Sequence, residues 1–460
     1  MSGESHALCG GVNGYHRFEF LHVESQGHAT RFHYRLSGAH VEPKELVEQV
    51  EWPLSLPAPD PRQPAIALAL RHIHLMLGIS YYKCCCPDEI LVHGEPLSDR
   101  EARFWEKVYT FGLGEFFYRN GLDPRERVHF PGGAPERAPI PLPAVAGERV
   151  LLLIGGGKDS AVSHAILRAS GVPVELFSLG SAPWIKRLAA AFGDPHWVVG
   201  RRLDPNLFAL NAAGAYNGHI PISACIAFIG VLLAMLGGYT AVVASNERTA
   251  SYGNLLWHGM EINHQWSKGL DFERAFQEWQ RAHFTGGPDY FSLLRPLSEL
   301  AICALFARCE PYFASFTSCN ANFKLADPRQ PARWCGTCPK CVFVYLMLAA
   351  HLEQGALQTI FGADLLANAA NLPLIEELAG VRGHKPFECV GTPEEVLAAL
   401  AHLEGQGRLR ATPVQGLYDA VLRERVVDPV GLWQAQLAPG EESTLSPLWR
   451  SRLDAYLQSA

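Results

Sequence analysis

Residues 151–160 read Leu-Leu-Leu-Ile-Gly-Gly-Gly-Lys-Asp-Ser. Their types and order suit the binding of a phosphate chain. Four aliphatic residues predict a buried parallel strand. Three glycines let the backbone turn sharply and come close to a ligand. Ser160 then opens a helical run, Ala161–Arg168, free of Gly and Pro. At such a helix start, unpaired N–H groups and the helix dipole both favour an anion. The glycine spacing excludes the Walker loop and the Gly-x-Gly-x-x-Gly turn of dinucleotide-binding folds; an ordinary glycine-rich turn is the bland alternative. A second cluster is Cys335-x-x-Cys338-x-x-Cys341, with Cys319 upstream. Two tight spacings and one loop spacing suit four thiolates around a tetrahedral zinc ion, with free or catalytic thiols as the alternative. The run Cys84-Cys85-Cys86 is too cramped for one metal and predicts a strand or turn with incidental thiols.

Several polar groups fall where a fold of this kind would use them. Ser245-Asn246-Glu247-Arg248 follows a short apolar strand, Ala241–Ala244. Glu261–Lys268 carries six polar side chains in eight positions, including His264 and Lys268. Asn217-Gly218-His219 precedes an apolar helix, where a plain helix cap and a surface histidine would serve as well. Arg295 could clamp a carboxylate or phosphate with two parallel hydrogen bonds, or serve in a surface ion pair. Lys385 and Glu388 fit a solvated pair.

The elements that must hold these groups follow from periodicity. Phe18, Phe20 and Leu21, then Phe32, Tyr34 and Leu36, flank Gly27 and predict a β-hairpin. Ala65–Leu77 and Glu101–Arg119 predict helices. Strand Leu151–Ile154, helix Ala161–Arg168 and strand Val174–Leu179 make a βαβ unit. Helix Trp184–Phe192, strand Trp197–Val199, helix Ala224–Leu236 and strand Ala241–Ala244 continue the alternation. That alternation predicts an α/β fold with a doubly wound parallel sheet, in which ligands bind beyond the carboxyl ends of the strands. Residues 155–160 and 245–248 then share one crevice. Five prolines between 131 and 143 suggest a linker. The division expected is an α+β domain over 1–130, a Pro-rich linker over 131–147, a sheet domain with the cysteine cluster over 148–350, and a helical region over 351–460. A chain of 460 residues supports several cores, and its 48% apolar and 18% charged content fits a globular enzyme. Net charge of −7 weighs against binding nucleic acid through a broadly basic surface. No apolar stretch suits a membrane span, because Ile220–Leu236 is bounded by His219 and Gly237. The N-terminus lacks the basic-then-apolar pattern of a signal peptide, so twelve cysteines predict reduced thiols or metal ligands in a cytoplasmic protein.

The glycine loop resembles the pyrophosphatase loop, Ser-Gly-Gly-x-Asp-Ser, of ATP-dependent adenylating enzymes. Gly156, Gly157, Asp159 and Ser160 match it, and Gly155 stands in the place of its serine. The resemblance sharpens when further segments are added: Ser80-Tyr81-Tyr82-Lys83, Gly112-Leu113-Gly114-Glu115-Phe116, Asn217-Gly218-His219-Ile220-Pro221, Ser245–Arg248, Asn263-His264-Gln265, Ser292–Pro296, Trp334–Cys341 and Lys385–Gly391. Together they resemble the UDP-N-acetylmuramoyl-L-alanyl-L-glutamate epimerases of peptidoglycan synthesis, over residues 80 to about 391, and the triple-glycine loop suits that family. The resemblance implies a fold of the ATP-pyrophosphatase type, ATP and Mg²⁺ as cofactors, a UDP-linked muramoyl dipeptide as substrate, and no nucleic-acid or membrane partner. The implied reaction adenylates the terminal glutamate's α-carboxylate, moves the acidified Cα proton from one face to the other, and releases AMP and pyrophosphate. Gly155, Gly156, Gly157, Lys158, Ser160 and Asn246 would bind nucleotide, and Asp159 would hold Mg²⁺. Asn217, Lys268 and Arg295 would bind substrate. His219, Glu247, His264 and Cys389 are the candidates for the acid–base pair.

Two alternatives stay open on the sequence. One is another adenylating ligase with the same loop, making a nitrile, an amide or a thiolated base. The other is an adenine-nucleotide-binding protein without turnover. A similar cysteine cluster in the cyano-deazaguanine synthases supports the zinc reading by analogy.

Overall fold

The computed structural model describes residues 14–323 and 333–459. They form two compact units. The first takes the described residues up to Gly147 and also Trp197–Val242 and Arg274–Asp289; the second takes Glu148–His196, Val243–Glu273 and the described residues from Tyr290 onward.

In the first unit, strands Arg17–Gln26, Ala29–Gly38 and Val41–Glu51 make an antiparallel meander. Gly27 supplies the left-handed residue of the first turn, with φ of 58°. Phe32, Tyr34 and Leu36 alternate into the core while Arg31, His33 and Arg35 face away from it, as the period of two requires. The sequence reading expected only the first hairpin. The third strand was hidden because its exposed positions are rich in Glu and Lys, although Leu46 and Val50 are fully buried. Strand Glu89–Val92 adds in parallel to Arg17–Gln26, and His196–Arg202 pairs antiparallel with Val41–Glu51.

Helix Pro64–Leu77 packs on helix Ile222–Gly237, whose apolar residues are buried nearly throughout. The long helix expected over Glu101–Arg119 is two, Asp99–Gly112 and Gly114–Asn120, with Leu113 between them at φ −95° and ψ 12°. The first of these starts in a capping box, Ser98 with Glu101. Within the expected linker, Ile140–Pro141 pairs in parallel with Phe284–Thr285.

In the second unit, the strand order is Asp289–Ser292, Ala241–Ala244, Val150–Leu153, Val174–Leu179. The strand before the glycine loop is interior, and its Val150, Leu151 and Leu152 are fully buried. It runs parallel to Val174–Leu179, reached through helix Lys158–Ala169. From it the chain adds one neighbour on one side, and much later another on the other side. Such a reversal of strand order opens a crevice at the strand's carboxyl end. Helices Glu299–Phe306, Pro339–Ala349, Pro393–Gly405, Pro429–Leu437 and Pro447–Ser459 complete the unit. The C-terminal region is helical, as expected. The fold is α/β, and the antiparallel meander, part of the α+β domain expected at the N-terminus, makes the sheet mixed. Among the described residues no helix is long and apolar enough to cross a membrane.

Candidate functional site

The glycine loop leaves the interior strand of the second unit. Gly156 has φ of 84°, and a Cβ there would lie 3.5 Å from the Ile185 nitrogen. Gly157 is the N-cap of helix Lys158–Ala169, and no side chain caps that end. The first N–H groups of the helix are thus left to solvent or a ligand. Ser160 donates its hydroxyl to the Gly157 carbonyl at 3.0 Å. The loop is tied down from below, since the Thr317 N–H donates to the Gly156 carbonyl at 3.0 Å.

Beside the loop sit carboxylates from three separate segments. One oxygen each of Asp159, Glu247 and Glu299 lies within 4.8 Å of the others. Glu247 is at the end of strand Ala241–Ala244, as the sequence placed it. Glu299 opens helix Glu299–Phe306 and was not anticipated. Lys158 is 2% exposed and its ammonium is paired with Asp159 and Glu299. Burial works against that ammonium, but the two carboxylates prevail and hold it charged, well above the usual lysine range. Burial, aided by Asp159 and Glu247, pushes Glu299 up to about 8 against the pull of Lys158. Three carboxylates and one ammonium leave a deficit that suits a divalent hard cation. The donor set therefore fits Mg²⁺, with Asp159, Glu247 and Glu299 as the oxygen ligands.

Arg295, read from the sequence as a carboxylate or phosphate clamp or an ion-pair partner, is found in an ion pair with Glu273. It is 1% exposed, and each of its nitrogens donates to a protein oxygen. Nε and Nη2 reach Glu273 at 3.2 and 2.7 Å, Nη1 reaches the Glu247 carbonyl at 2.6 Å, and Nη2 reaches the Lys268 carbonyl at 2.6 Å. All three nitrogens are thereby engaged inside the protein. The side chain braces the main chain at two other site positions, Glu247 and Lys268. Asn246, expected at the nucleotide, donates to Ser292 Oγ at 3.0 Å.

The segment 385–390 is held against the hairpin Leu255–Trp257/Met260–Ile262 and the turn after it. Asn254 donates to the Pro386 carbonyl at 2.8 Å and accepts from the His264 N–H at 2.8 Å. Gln265 donates to the Val390 carbonyl at 3.2 Å. This places Cys389 Sγ 3.2 Å from the Lys268 ammonium. Burial would push the Cys389 thiol up. Lys268, Lys340 and a hydrogen bond with His264 outweigh it and hold Cys389 well below the usual thiol range. Lys268 in turn feels the Glu247 and Asp159 charges as well as Cys389, and stays an ammonium. The pair expected to be solvated, Lys385 and Glu388, is partly buried. Lys385 donates to the Tyr252 carbonyl at 3.3 Å, Asn320 donates to Glu388, and burial pushes Glu388 up to about 7.

Cys319, Cys335, Cys338 and Cys341 converge, with their sulfurs all within 4.8 Å of one another and Cys335–Cys341 at 3.7 Å. A tetrahedral zinc with bonds of ~2.3 Å needs sulfurs about 3.8 Å apart, so the donor set fits. Cys338 caps helix Pro339–Ala349, and Cys319 comes from the far side of residues 324–332.

Asn217 and His219 lie in the first unit. Lys83, 5% exposed, donates to Asn217 Oδ1 at 2.9 Å. His219 Nδ1 lies 3.8 Å from Glu115, which also accepts from Arg119 at 2.6 Å. The motif segments 80–83, 112–116 and 217–221 are thus neighbours in the fold. Glu299, Glu273 and Lys340, which the sequence reading did not single out, sit in helices whose patterns give no sign of chemistry. A glutamate at the start of an apolar helix reads as a helix-dipole residue.

Two family models match the chain: the MurL N-terminal domain over residues 12–293 and the MurL C-terminal domain over residues 315–427. The chain is 42% identical over 379 residues to a protein of Xanthomonas oryzae pv. oryzae, covering 82% of this chain and 81% of the relative. It is 43% identical over 394 residues to one of Salinispora tropica, covering 85% of each. It is 42% identical over 399 residues to one of a Micromonospora species, covering 85% of this chain and 87% of the relative. All three relatives are named UDP-N-acetyl-alpha-D-muramoyl-L-alanyl-L-glutamate epimerase. With both domain models matched in order and more than four-fifths of the chain aligned to these relatives, the chain belongs to the MurL epimerase family.

Proposed function

We propose that the protein epimerises the terminal L-glutamate of UDP-N-acetylmuramoyl-L-alanyl-L-glutamate to D-glutamate, at the expense of ATP, in peptidoglycan precursor synthesis. The observation that carries the ATP step is one juxtaposition. The uncapped glycine-loop helix start, the Asp159–Glu247–Glu299 carboxylates and the Lys268–Cys389 pair occupy one unit, with Lys268 interacting with both of the latter groups. On this reading the sheet and loop are of the ATP-pyrophosphatase type. Backbone N–H groups of Gly156, Gly157 and the first helical turn hold the phosphates. The three carboxylates hold Mg²⁺, which offsets phosphate charge when bound. The four cysteines hold a structural zinc that ties Cys319 to the start of helix Pro339–Ala349.

The chemistry needs the ATP. An ionised carboxylate strongly disfavours a carbanion beside it. Transfer of AMP to one carboxylate oxygen forms a C–O–P link, breaks the α–β phosphoanhydride and expels pyrophosphate. The mixed anhydride carbonyl then accepts the electron pair left when a base takes the Cα proton. A proton delivered to the other face inverts the centre, and hydrolysis of the anhydride releases AMP and makes the inversion directional. The test is proton NMR in D₂O with the L-glutamyl substrate, ATP and Mg²⁺, following Cα deuteration, D-product and AMP together. ATP-dependent Cα exchange with a D-glutamyl product is the expected result. AMP without exchange moves the substrate elsewhere, and neither signal from folded protein overturns the proposal. Replacing Asp159 by Asn is expected to abolish pyrophosphate release, and near-normal release would remove Asp159 from the metal site.

A further inference from the structure

The second unit brings a thiol and an ammonium together from distant parts of the chain. Lys268 Nζ lies 3.2 Å from Cys389 Sγ. The two are 121 residues apart in sequence, so the contact is made only by the fold. Both residues are partly exposed, unlike Cys225, Cys303 and Cys319, which are completely buried. Around Cys389 stand Lys268, Lys340, Lys385, His264 and Glu388, a setting with more positive than negative charge. Thiolates form where cations surround a cysteine. Lys268 also feels the charges of Glu247 and Asp159, so one ammonium links the sulfur electrostatically to two of the three carboxylates. A second feature points to a ligand here. Gln265 is 2% exposed and donates to the Val390 carbonyl, yet its Oε1 has no hydrogen-bond partner among the described residues. A buried acceptor left open next to Val390 suits an amide N–H from outside the protein.

We propose that Cys389, with Lys268 as its counter-ion, is one of the two acid–base groups that move the glutamyl Cα proton. The assignment rests on the adenylation reading given above. In the step, the Cα–H bond breaks and an S–H bond forms on Cys389. The electron pair from Cα passes into the carbonyl of the activated carboxylate. Lys268 keeps its protons throughout: it holds the sulfur ionised before the transfer and faces the developing oxyanion after it. In the reverse direction the Cys389 S–H returns its proton to Cα. His264, beside the same sulfur, is a positioning residue.

The test separates the two halves of the reaction. Cys389→Ala and Cys389→Ser are assayed with the L-glutamyl substrate, ATP and Mg²⁺ for AMP release and for D-glutamyl product. The expected result is AMP release within about threefold of the parent enzyme, with D-product down about 100-fold or more. D-product within about tenfold of the parent in either variant overturns the assignment. Loss of AMP release in both folded variants places Cys389 in the adenylation half and also overturns it. A parent enzyme that yields neither AMP nor D-product counts against the adenylation reading instead. A second measurement needs no variant at residue 389. Iodoacetamide at about pH 6 is expected to alkylate Cys389 ahead of the buried thiols, stop inversion and spare AMP release. Lys268→Met is expected to slow that alkylation about tenfold or more, a response a purely structural cysteine would lack. Carbamidomethylated Cys389 with full inversion activity overturns the proposal.

Discussion

Arg295→Lys separates a brace from a substrate clamp. In the structure the guanidinium is held by Glu273 on one side and by the carbonyls of Glu247 and Lys268 on the other, through three different nitrogens. A lysine ammonium keeps the charge opposite Glu273 but is a single point. It cannot reach both carbonyls and the carboxylate together. At least two hydrogen bonds from a charged donor are lost at a site 1% exposed, each worth about 1.5 to 3 kcal/mol, which sums to about 3 to 6 kcal/mol. For a unit of this size that is a melting-point drop of roughly 6 to 24 °C. Because Glu247 and Lys268 both shift when their carbonyls are released, kcat is expected to fall more than KM rises. Thermal melting and steady-state AMP release on the same preparation measure both. Melting within about 2 °C of the parent, with KM for the glutamyl substrate raised about tenfold at unchanged kcat, would show that Arg295 meets the substrate and refute the reasoning.

Two further outcomes follow from the same geometry. Protein purified without chelator is expected to carry one zinc per chain, and Cys335→Ser is expected to lose it and melt earlier; metal content near zero in the parent removes the zinc assignment. In the first unit, burial holds the His72 and His74 imidazoles neutral, pushing each down to about 3 from the ordinary value near 6.5. Below that ordinary value the unfolded chain binds protons that the folded one refuses, so stability falls as pH falls from about 6.5 towards 3. At pH 5 the loss is up to roughly 2 kcal/mol per histidine, read by urea unfolding at pH 7 and pH 5, and His74→Gln is expected to flatten part of that slope. An unchanged slope in the variant excludes His74 as a source.

What the sequence alone determined was local. Glycine needs no partner to allow the turn at Gly156, and a strand, a turn and a helix start within ten residues leave uncapped backbone N–H groups at that start. The same holds for Cys335, Cys338 and Cys341, whose short spacing brings them to one helix start. Alternation exposed the first hairpin, whereas polar outward positions concealed Val41–Glu51. Only the tertiary structure decided the rest, because it depended on groups far apart in the chain. Glu299 meets Lys158 across 141 residues and Cys389 meets Lys268 across 121, and no pattern in either segment announces the other. Arg295 looked like a clamp because a guanidinium suits carboxylates wherever it stands; burial beside Glu273 decided which carboxylate it took. The division into units is likewise a tertiary fact. Segments 197–242 and 274–289 return to the first unit after the chain has entered the second, since packing joins surfaces by their shape and polarity and takes no account of their order in the sequence.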